Sequence, residues 1–371
     1  LKIFVAGTRG VPNIPGGVES HCQQLYPLIV KAGHDVKISR RKPYVKKLLT
    51  SWSGIQLIDN FAPRNKSLEA IVHTFIAIIE AKKWKADIIH IHAIGPAIMI
   101  PFARVLGLRV VFTNHGPDYD RDKWGDFAKF VLRIGEKLGG IFSHEVIVIS
   151  GVIQKIIKKR CGRDSNLIYN GVQVLEKSTT CTYVESLGIT ANNYILAVAR
   201  FVPEKGLHDL IEAFNQANLD CQLVIAGDSD HMDEYSSKLK AMAAHNSKII
   251  LTGYITGEEL HEVYSYARLF ALPSYHEGLP IALLEALSYA IIPLVSDIPA
   301  NREVPIEEKY YFRCKDAGHL KEKLIELWQT DIQYGRPEKL INLVEERYNW
   351  QKISEQTISV YKKALGINIR Y

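Results

Sequence analysis

Two glutamates, Glu277 and Glu285, flank the turn in the segment HEGLPIALLEAL. Ionised carboxylates accept hydrogen bonds from hydroxyl groups. If a helix begins near Pro280, its rise of about 1.5 Å per residue puts Glu285 about 8–9 Å along the axis from Leu279. The two carboxylates are then offset and form no face-to-face acid–base pair. They suit hydroxyls on two separate rings of one extended ligand. The backbone N–H groups of Gly278 and Leu279 between them would point at an anion. The plainer alternative is a glutamate capping a helix N-terminus and an unrelated exposed Glu285.

A second segment, ARFVPEKG, carries Arg200 and Lys205 on a turn that follows an apolar run. Arginine offers a bidentate fork and lysine a compact charge, a pair suited to a diphosphate. A nucleoside diphosphate gains negative charge as it leaves, so cations placed there stabilise the transition state more than the ground state. A third segment, GTRGVPNIPGGVE, holds Gly7, Gly10, Gly16 and Gly17 and runs into a helical pattern near Val18. Such a loop bares N–H groups to a phosphate. Its spacing is neither the G-x-G-x-x-G of dinucleotide binding nor a P-loop, which disfavours dehydrogenase and NTPase readings.

Other chemistry-bearing residues are less decisive. The segment HGPDYDRDKW holds His115, Asp118, Asp120, Arg121, Asp122 and Lys123, more charge than a turn after a strand requires, and reads as a functional loop. His90 and His92 (HIH) invite a metal reading. Alternation of faces along a strand, and no evident third ligand, favour core or rim histidines instead. Asp228 and Asp230 have D-x-D spacing but follow a different strand, so a Mg²⁺ site there is disfavoured. The basic runs RRKPYVKK (Arg40–Lys47) and IQKIIKKR (Ile153–Arg160) combine cations with apolar side chains and could dock on an anionic membrane face. No helix-turn-helix, zinc or RNP pattern supports a nucleic-acid partner.

Near-continuous apolar runs position these residues: Lys2–Ala6, Asp35–Ser39, Asp87–Ile91, Arg109–Thr113 and Glu145–Ile149, then Tyr194–Ala199, Gln222–Ala226, Ile249–Thr252, Leu269–Leu272 and Ile292–Val295. Strands without polar alternation are buried on both faces, as in parallel sheets. Helix-length segments such as Leu68–Lys82 and Leu207–Ala217 separate them, so the expected class is α/β, built of βαβ units. Periodicity fails near residues 172–192. The expected domains are about 1–175, joined by a closing helix at about 350–371, and about 185–345. Charge divides at the same place. Residues 1–180 carry 27 Lys+Arg against 14 Asp+Glu, and residues 181–371 carry 19 against 26. A basic first half suits an anionic surface. The 371 residues fill two domains comfortably. Five scattered cysteines without a C-x-x-C pair fit free thiols in a reducing compartment. The opening LKIFVAGTRG reads as a strand and turn, unlike a signal peptide. The apolar stretch Ile94–Leu108 is broken by Pro96, Pro101 and Arg104 and falls short of the ~20 residues a span needs. The expected location is cytoplasmic, with any membrane contact peripheral, on the inner face of the plasma membrane.

Taken together these segments resemble the retaining GT-B glycosyltransferases of family 4, over nearly the whole chain. The most specific element is Glu-x7-Glu, from Glu277 to Glu285. Arg200 and Lys205, the G-G-V-E of Gly16–Glu19, and NGV at Asn170–Val172 support it. The opening GTRGVPNIPGGVE and the stretch NHGPDYDRDKWGDFAK look more narrowly like bacterial rhamnosyltransferases of surface-polysaccharide assembly. The resemblance implies two Rossmann-like domains facing across a cleft. Glu277 would bind donor-sugar hydroxyls, Glu285 the ribose, and Arg200 and Lys205 the diphosphate, with Gly278 and Leu279 at the anion. The loop of Gly16 and Gly17 would close from the first domain, His115 would touch the donor sugar, and Gly253 and Tyr254 would lie near the base. Asp118, Asp120 and Arg121 are candidates for acceptor recognition. Neither a metal nor another cofactor is implied. The partners would be a nucleoside-diphosphate sugar and a glycan or polyprenyl-diphosphate-linked acceptor. Two rivals share the fold: a nucleotide-sugar 2-epimerase and a catalytically silent membrane-associated scaffold.

Overall fold

The computed structural model describes residues 1–64, 68–117, 119, 125–229, 233–330 and 337–367. The chain divides into two compact units, one made of Leu1–Gly171 with the closing segment from Asn349, the other of Val172–Tyr348.

The first unit runs β1 (Lys2–Ala6), α1 (Gly17–Lys31), β2 (Asp35–Arg41), β3 (Ser51–Trp52), β4 (Ile55–Asn60), α2 (Glu69–Lys83), β5 (Ile88–His92), α3 (Ile100–Val105), β6 (Val110–Asn114), α4 (Asp126–Phe142), β7 (Glu145–Val148), α5 (Gly151–Cys161) and β8 (Asn166–Leu167). Its sheet has the order β3-β4-β2-β1-β5-β6-β7-β8 and is parallel except where β3 meets β4. Order reverses between β1 and β5, so ligands are expected beyond those two strand ends. Ile3, Val5, Ile38, Ile88 and Val111 are buried with Leu25 and Ile29 of α1 and with Ile353 and Tyr361. The last two belong to a helix near the end of the chain.

The second unit runs α6 (Thr182–Ser186), β9 (Tyr194–Val198), α7 (Leu207–Ala217), β10 (Gln222–Ala226), α8 (Glu234–Ala244), β11 (Ile249–Gly253), α9 (Glu258–Ser265), β12 (Leu269–Leu272), α10 (Ile281–Ser288), β13 (Ile292–Ser296), α11 (Pro299–Arg302), β14 (Tyr311–Phe312), α12 (Ala317–Gln329) and α13 (Pro337–Arg347). Its strands pair in parallel in the order β11-β10-β9-β12-β13-β14. Here the order reverses between β9 and β12. The chain then returns to the first unit as α14 (Trp350–Ala364), capped by the Asn349 side chain.

Two features depart from the sequence reading. Strands β3, β4, β8 and β14 were not anticipated: three are two residues long, and β4 (IQLIDN) ends in Asp and Asn. The basic run Arg40–Lys47 does not simply follow a strand. Arg40 and Arg41 complete β2 and are buried. Arg40 binds Asp59 of β4 at 2.6 and 2.9 Å, and Arg41 binds Glu69 at 2.8 Å. These two cations are thus unavailable to an anionic surface.

Candidate active site

In the second unit the switch point brings two loops together. One follows β9 and carries Arg200 and Lys205; the other follows β12 and carries Glu277, Gly278 and Leu279. Backbone pairing ties them, since the N–H of Tyr275 donates to the carbonyl of Glu204 at 2.8 Å. Gly206 between Lys205 and α7 has φ +62° and no room for a side chain: a Cβ there would overlap the carbonyl oxygen of Pro273. Tyr275 also donates to Asp209 of α7 at 2.5 Å. Across the joined loops, Lys205 Nζ donates to Glu277 Oε1 at 2.5 Å, with both side chains mostly buried. Arg200 stands partly buried just after β9.

Pro280 does not open α10 as its first residue but precedes it, and the helix starts at Ile281. Glu285 lies one turn in. Its Oε2 accepts from Tyr264 of α9 at 3.0 Å, and Tyr264 stacks on Tyr289 with centroids 5.2 Å apart. The residue keeps some exposed surface, yet its carboxyl is packed among protein atoms. Desolvation raises its pKa to about 7, against a smaller lowering by the Tyr264 hydrogen bond. A carboxyl poised there accepts strongly once ionised and gains most from hydroxyl donors. Gly253 ends β11 with φ +74°, and Tyr254 after it is exposed. Gly227 has φ +141° and no room for a side chain, since a Cβ would overlap the Ala199 carbonyl oxygen; its N–H donates to the Gly253 carbonyl at 2.9 Å. Asp228 is held by Lys240 at 2.8 Å, and Asp230 lies outside the described residues.

In the first unit, Gly16 precedes α1 with φ +146°, where a Cβ would strike the Glu19 carboxylate. That carboxylate accepts from the Arg9 N–H at 2.7 Å and from Thr8 Oγ1 at 3.0 Å, which folds the glycine-rich loop back on its helix. Gly17 has open space beside it. The acceptor candidates Asp118, Asp120 and Arg121 lie outside the described residues.

His115 gathers partners that the sequence reading did not assign to it. It follows β6 and meets His92, the last residue of β5, with Nε2 and Nδ1 2.9 Å apart. His90 and His92, two apart on a strand, share a face and stack at 4.1 Å. The expectation that alternation separates them is therefore corrected. His21 of α1 completes the group, its ring centroid 5.0 Å from that of His115 and 5.7 Å from that of His92. Behind these rings His21 Nδ1 meets Asn170 Oδ1 at 2.7 Å, and His92 Nε2 meets Tyr26 Oη at 2.6 Å. His90 meets Tyr26 at 2.9 Å, Tyr361 of α14 at 2.7 Å and Thr113 at 2.7 Å. Burial lowers His21 to about 4 and holds His92 and His115 well below the usual histidine range. All three rings are neutral at pH 7. His21, Tyr26, Asn170 and Tyr264 were not assigned these roles from sequence. The spacing of two in HIH was the signal that could have placed His90 and His92 together.

Residues 15–174 match the model of Glycosyltransferase Family 4, and residues 182–350 that of Glycosyl transferases group 1. The chain is 24% identical to an uncharacterized glycosyltransferase of Methanocaldococcus jannaschii, over 98% of this chain and 99% of the relative. It is 23% identical to the phosphatidyl-myo-inositol mannosyltransferase of Mycobacterium tuberculosis, over 95% of each. Among solved structures, sucrose-phosphate synthase from Thermosynechococcus elongatus matches with a TM-score of 0.84 at 19% identity, over 99% of both chains. HepE of Anabaena, in complex with UDP and glucose, matches with a TM-score of 0.79 at 16% identity, over 96% of this chain and 98% of HepE.

Proposed function

The chain is a group 1 glycosyltransferase with the two Rossmann-like domains of the GT-B fold, and from that premise we propose that it moves a sugar from a nucleoside-diphosphate sugar to a hydroxyl of a glycan or lipid-linked acceptor, with retention of anomeric configuration, in the synthesis of surface polysaccharide. The observation that carries this reading is the joined pair of loops at the β9/β12 switch point, where Lys205 and Glu277 meet at 2.5 Å and where the loop of Lys205 also carries Arg200.

In this proposal Arg200, Lys205 and the N–H groups of Gly278 and Leu279 hold the diphosphate and stabilise it as it departs. Glu277 takes donor-sugar hydroxyls and Glu285 the ribose, with Gly253 and Tyr254 toward the base. The first unit serves the acceptor, and the acceptor hydroxyl attacks the face from which the diphosphate leaves, whose oxygen takes the proton. A rhamnosyl donor is the narrower reading suggested by the first unit's opening and HGPDYD segments. Screening thermal stabilisation against UDP, GDP, ADP and dTDP, then their sugars, tests the donor site. A nucleotide at 100 times its Kd adds about 2.7 kcal/mol, and Arg200→Ala should abolish most of that gain. An unchanged gain removes Arg200 from the site. An NMR spectrum of the product with an inverted anomeric centre would end the retaining proposal.

Peripheral contact with an anionic membrane is part of the same proposal. Among the described residues no helix is long and apolar enough to cross a membrane. On α4, Phe127, Phe130, Arg133, Lys137 and Ile141 are exposed at helical spacing, a mixed apolar and basic stripe of the kind that lies in a lipid interface. Vesicles containing anionic lipid should retain the protein, and Phe127→Ser with Phe130→Ser should release it; equal retention of the variant excludes α4.

A further inference from the structure

We infer that His21, His92 and His115 form a binding site for a divalent transition-metal ion, with zinc(II) the best match. One ligand nitrogen from each residue lies within 4.8 Å of the other two. The three rings come from three separate elements: α1, the end of β5 and the turn after β6. All sit inside the first unit and owe nothing to the donor loops.

The ligand chemistry selects the metal. Three imidazoles and no carboxylate suit zinc, copper, nickel or cobalt and not the oxygen-seeking magnesium or calcium. Imidazole nitrogens bind such ions through their lone pairs. Three protein ligands leave a fourth tetrahedral position for water or another ligand.

Ring orientation is already set by neighbours, as at known metal-bound histidines. The Asn170 carbonyl oxygen can only accept, so Nδ1 of His21 carries the proton and Nε2 is left for the metal. In the hydrogen-bonded arrangement, one proton lies between His92 Nδ1 and His115 Nε2. Metal binding needs that proton to move to the far nitrogen of whichever ring carries it; on His92 that is Nε2, where the Tyr26 oxygen accepts it. No net proton is lost and both nitrogens are freed. Metal–nitrogen bonds of about 2.0–2.1 Å set tetrahedral ligands roughly 3.3–3.4 Å apart. The 2.9 Å pair therefore opens by about half an ångström, within reach of small side-chain rotations.

The test is titration of the full chain, washed with chelator, with Co²⁺ and then Zn²⁺. One equivalent of Co²⁺ should give the intense visible bands of a four-coordinate ion, without a thiolate charge-transfer band. X-ray absorption of the Zn²⁺-loaded wild-type protein should show three imidazoles. Asn170→Ala, which touches no proposed ligand atom, should weaken Zn²⁺ binding about 10–100-fold, and His21→Ala should weaken it further. Absence of stoichiometric binding by the wild type, fewer than three imidazoles on zinc, or equal Zn²⁺ affinity in folded Asn170→Ala each overturns the inference. If His21→Ala fails to fold, the absorption spectrum and Asn170→Ala still decide.

Discussion

Lys205 Nζ and Glu277 Oε1 lie 2.5 Å apart, although 72 positions separate them in the chain. Each satisfies the other at the meeting of two loops, and a bound sugar diphosphate would engage both. Lys205→Ala should lower kcat by about 10²–10³, the effect of removing one donor from a developing anion. Because the partners touch, Lys205→Ala with Glu277→Gln should depart from additivity by about 0.5–3 kcal/mol. Steady-state kinetics of the four proteins of the cycle check this; strict additivity would mean the contact does not matter in turnover.

If Glu285 holds the ribose as proposed, donor binding should depend on pH. Its carboxyl is raised to about 7 by desolvation, and in the proposed role ribose hydroxyls would bind the ionised form. Nucleotide affinity should therefore rise by up to about tenfold per unit below pH 7 and level off above it. Calorimetry from pH 5.5 to 8.5 reads this directly, and Glu285→Gln should flatten the profile.

The same shift has the opposite sign for folding. Between the unfolded value of 4.5 and the folded value of about 7, the folded chain binds the extra proton, so stability falls as pH rises across that window. Glu285→Gln should stabilise the nucleotide-free protein on the order of 2 kcal/mol at pH 8 and change little at pH 4. Urea unfolding at the two pH values measures it; equal effects at both would place the cause elsewhere.

Gly206 should tolerate no side chain. Gly206→Ala meets both a φ of +62° and the Pro273 carbonyl, forcing the two donor loops apart. A loss of about 1–3 kcal/mol in stability is expected, together with nucleotide affinity. Gly188→Ala is the control, since Gly188 shares the positive φ, at +68°, but has open space for the methyl group and lies outside the proposed donor site. If the two variants bind nucleotide alike, loop spacing is not what sets affinity.

Arg40 and Asp59 form a two-pronged ion pair, with the guanidinium side chain only 2% exposed. Removing one partner strands the other charge, at a cost of about 3–5 kcal/mol. Asp59→Ala should show this loss in urea unfolding, while a paired Arg40→Met with Asp59→Leu should recover most of it.

The two loops at the β9/β12 switch point were legible because their signals are contiguous. An apolar run followed by Arg200 and Lys205, or by Glu277 and a proline, marks a strand end and a turn within a dozen residues. The limits of strands shifted by one or two positions, as with β5 ending at His92 where Ile91 was expected. Short edge strands such as β3 and β8 escaped notice because two residues carry no period. The buried state of Arg40 and Arg41 also escaped, since their partners Asp59 and Glu69 arrive from other elements.

Alternating apolar runs and amphipathic segments dictate an α/β chain with catalytic candidates at strand ends, for burial periodicity is a local property that each segment carries in its own order of residues. Which strand lies beside which is settled only when the sheets assemble. His21, His92, His115, Asn170 and Tyr361 come from distant stretches, and nothing in the spacing between them announces a cluster. They meet because β1, β5 and β6 are neighbours in the sheet and because α14 packs on α1, burying apolar surface that neither helix can cover alone.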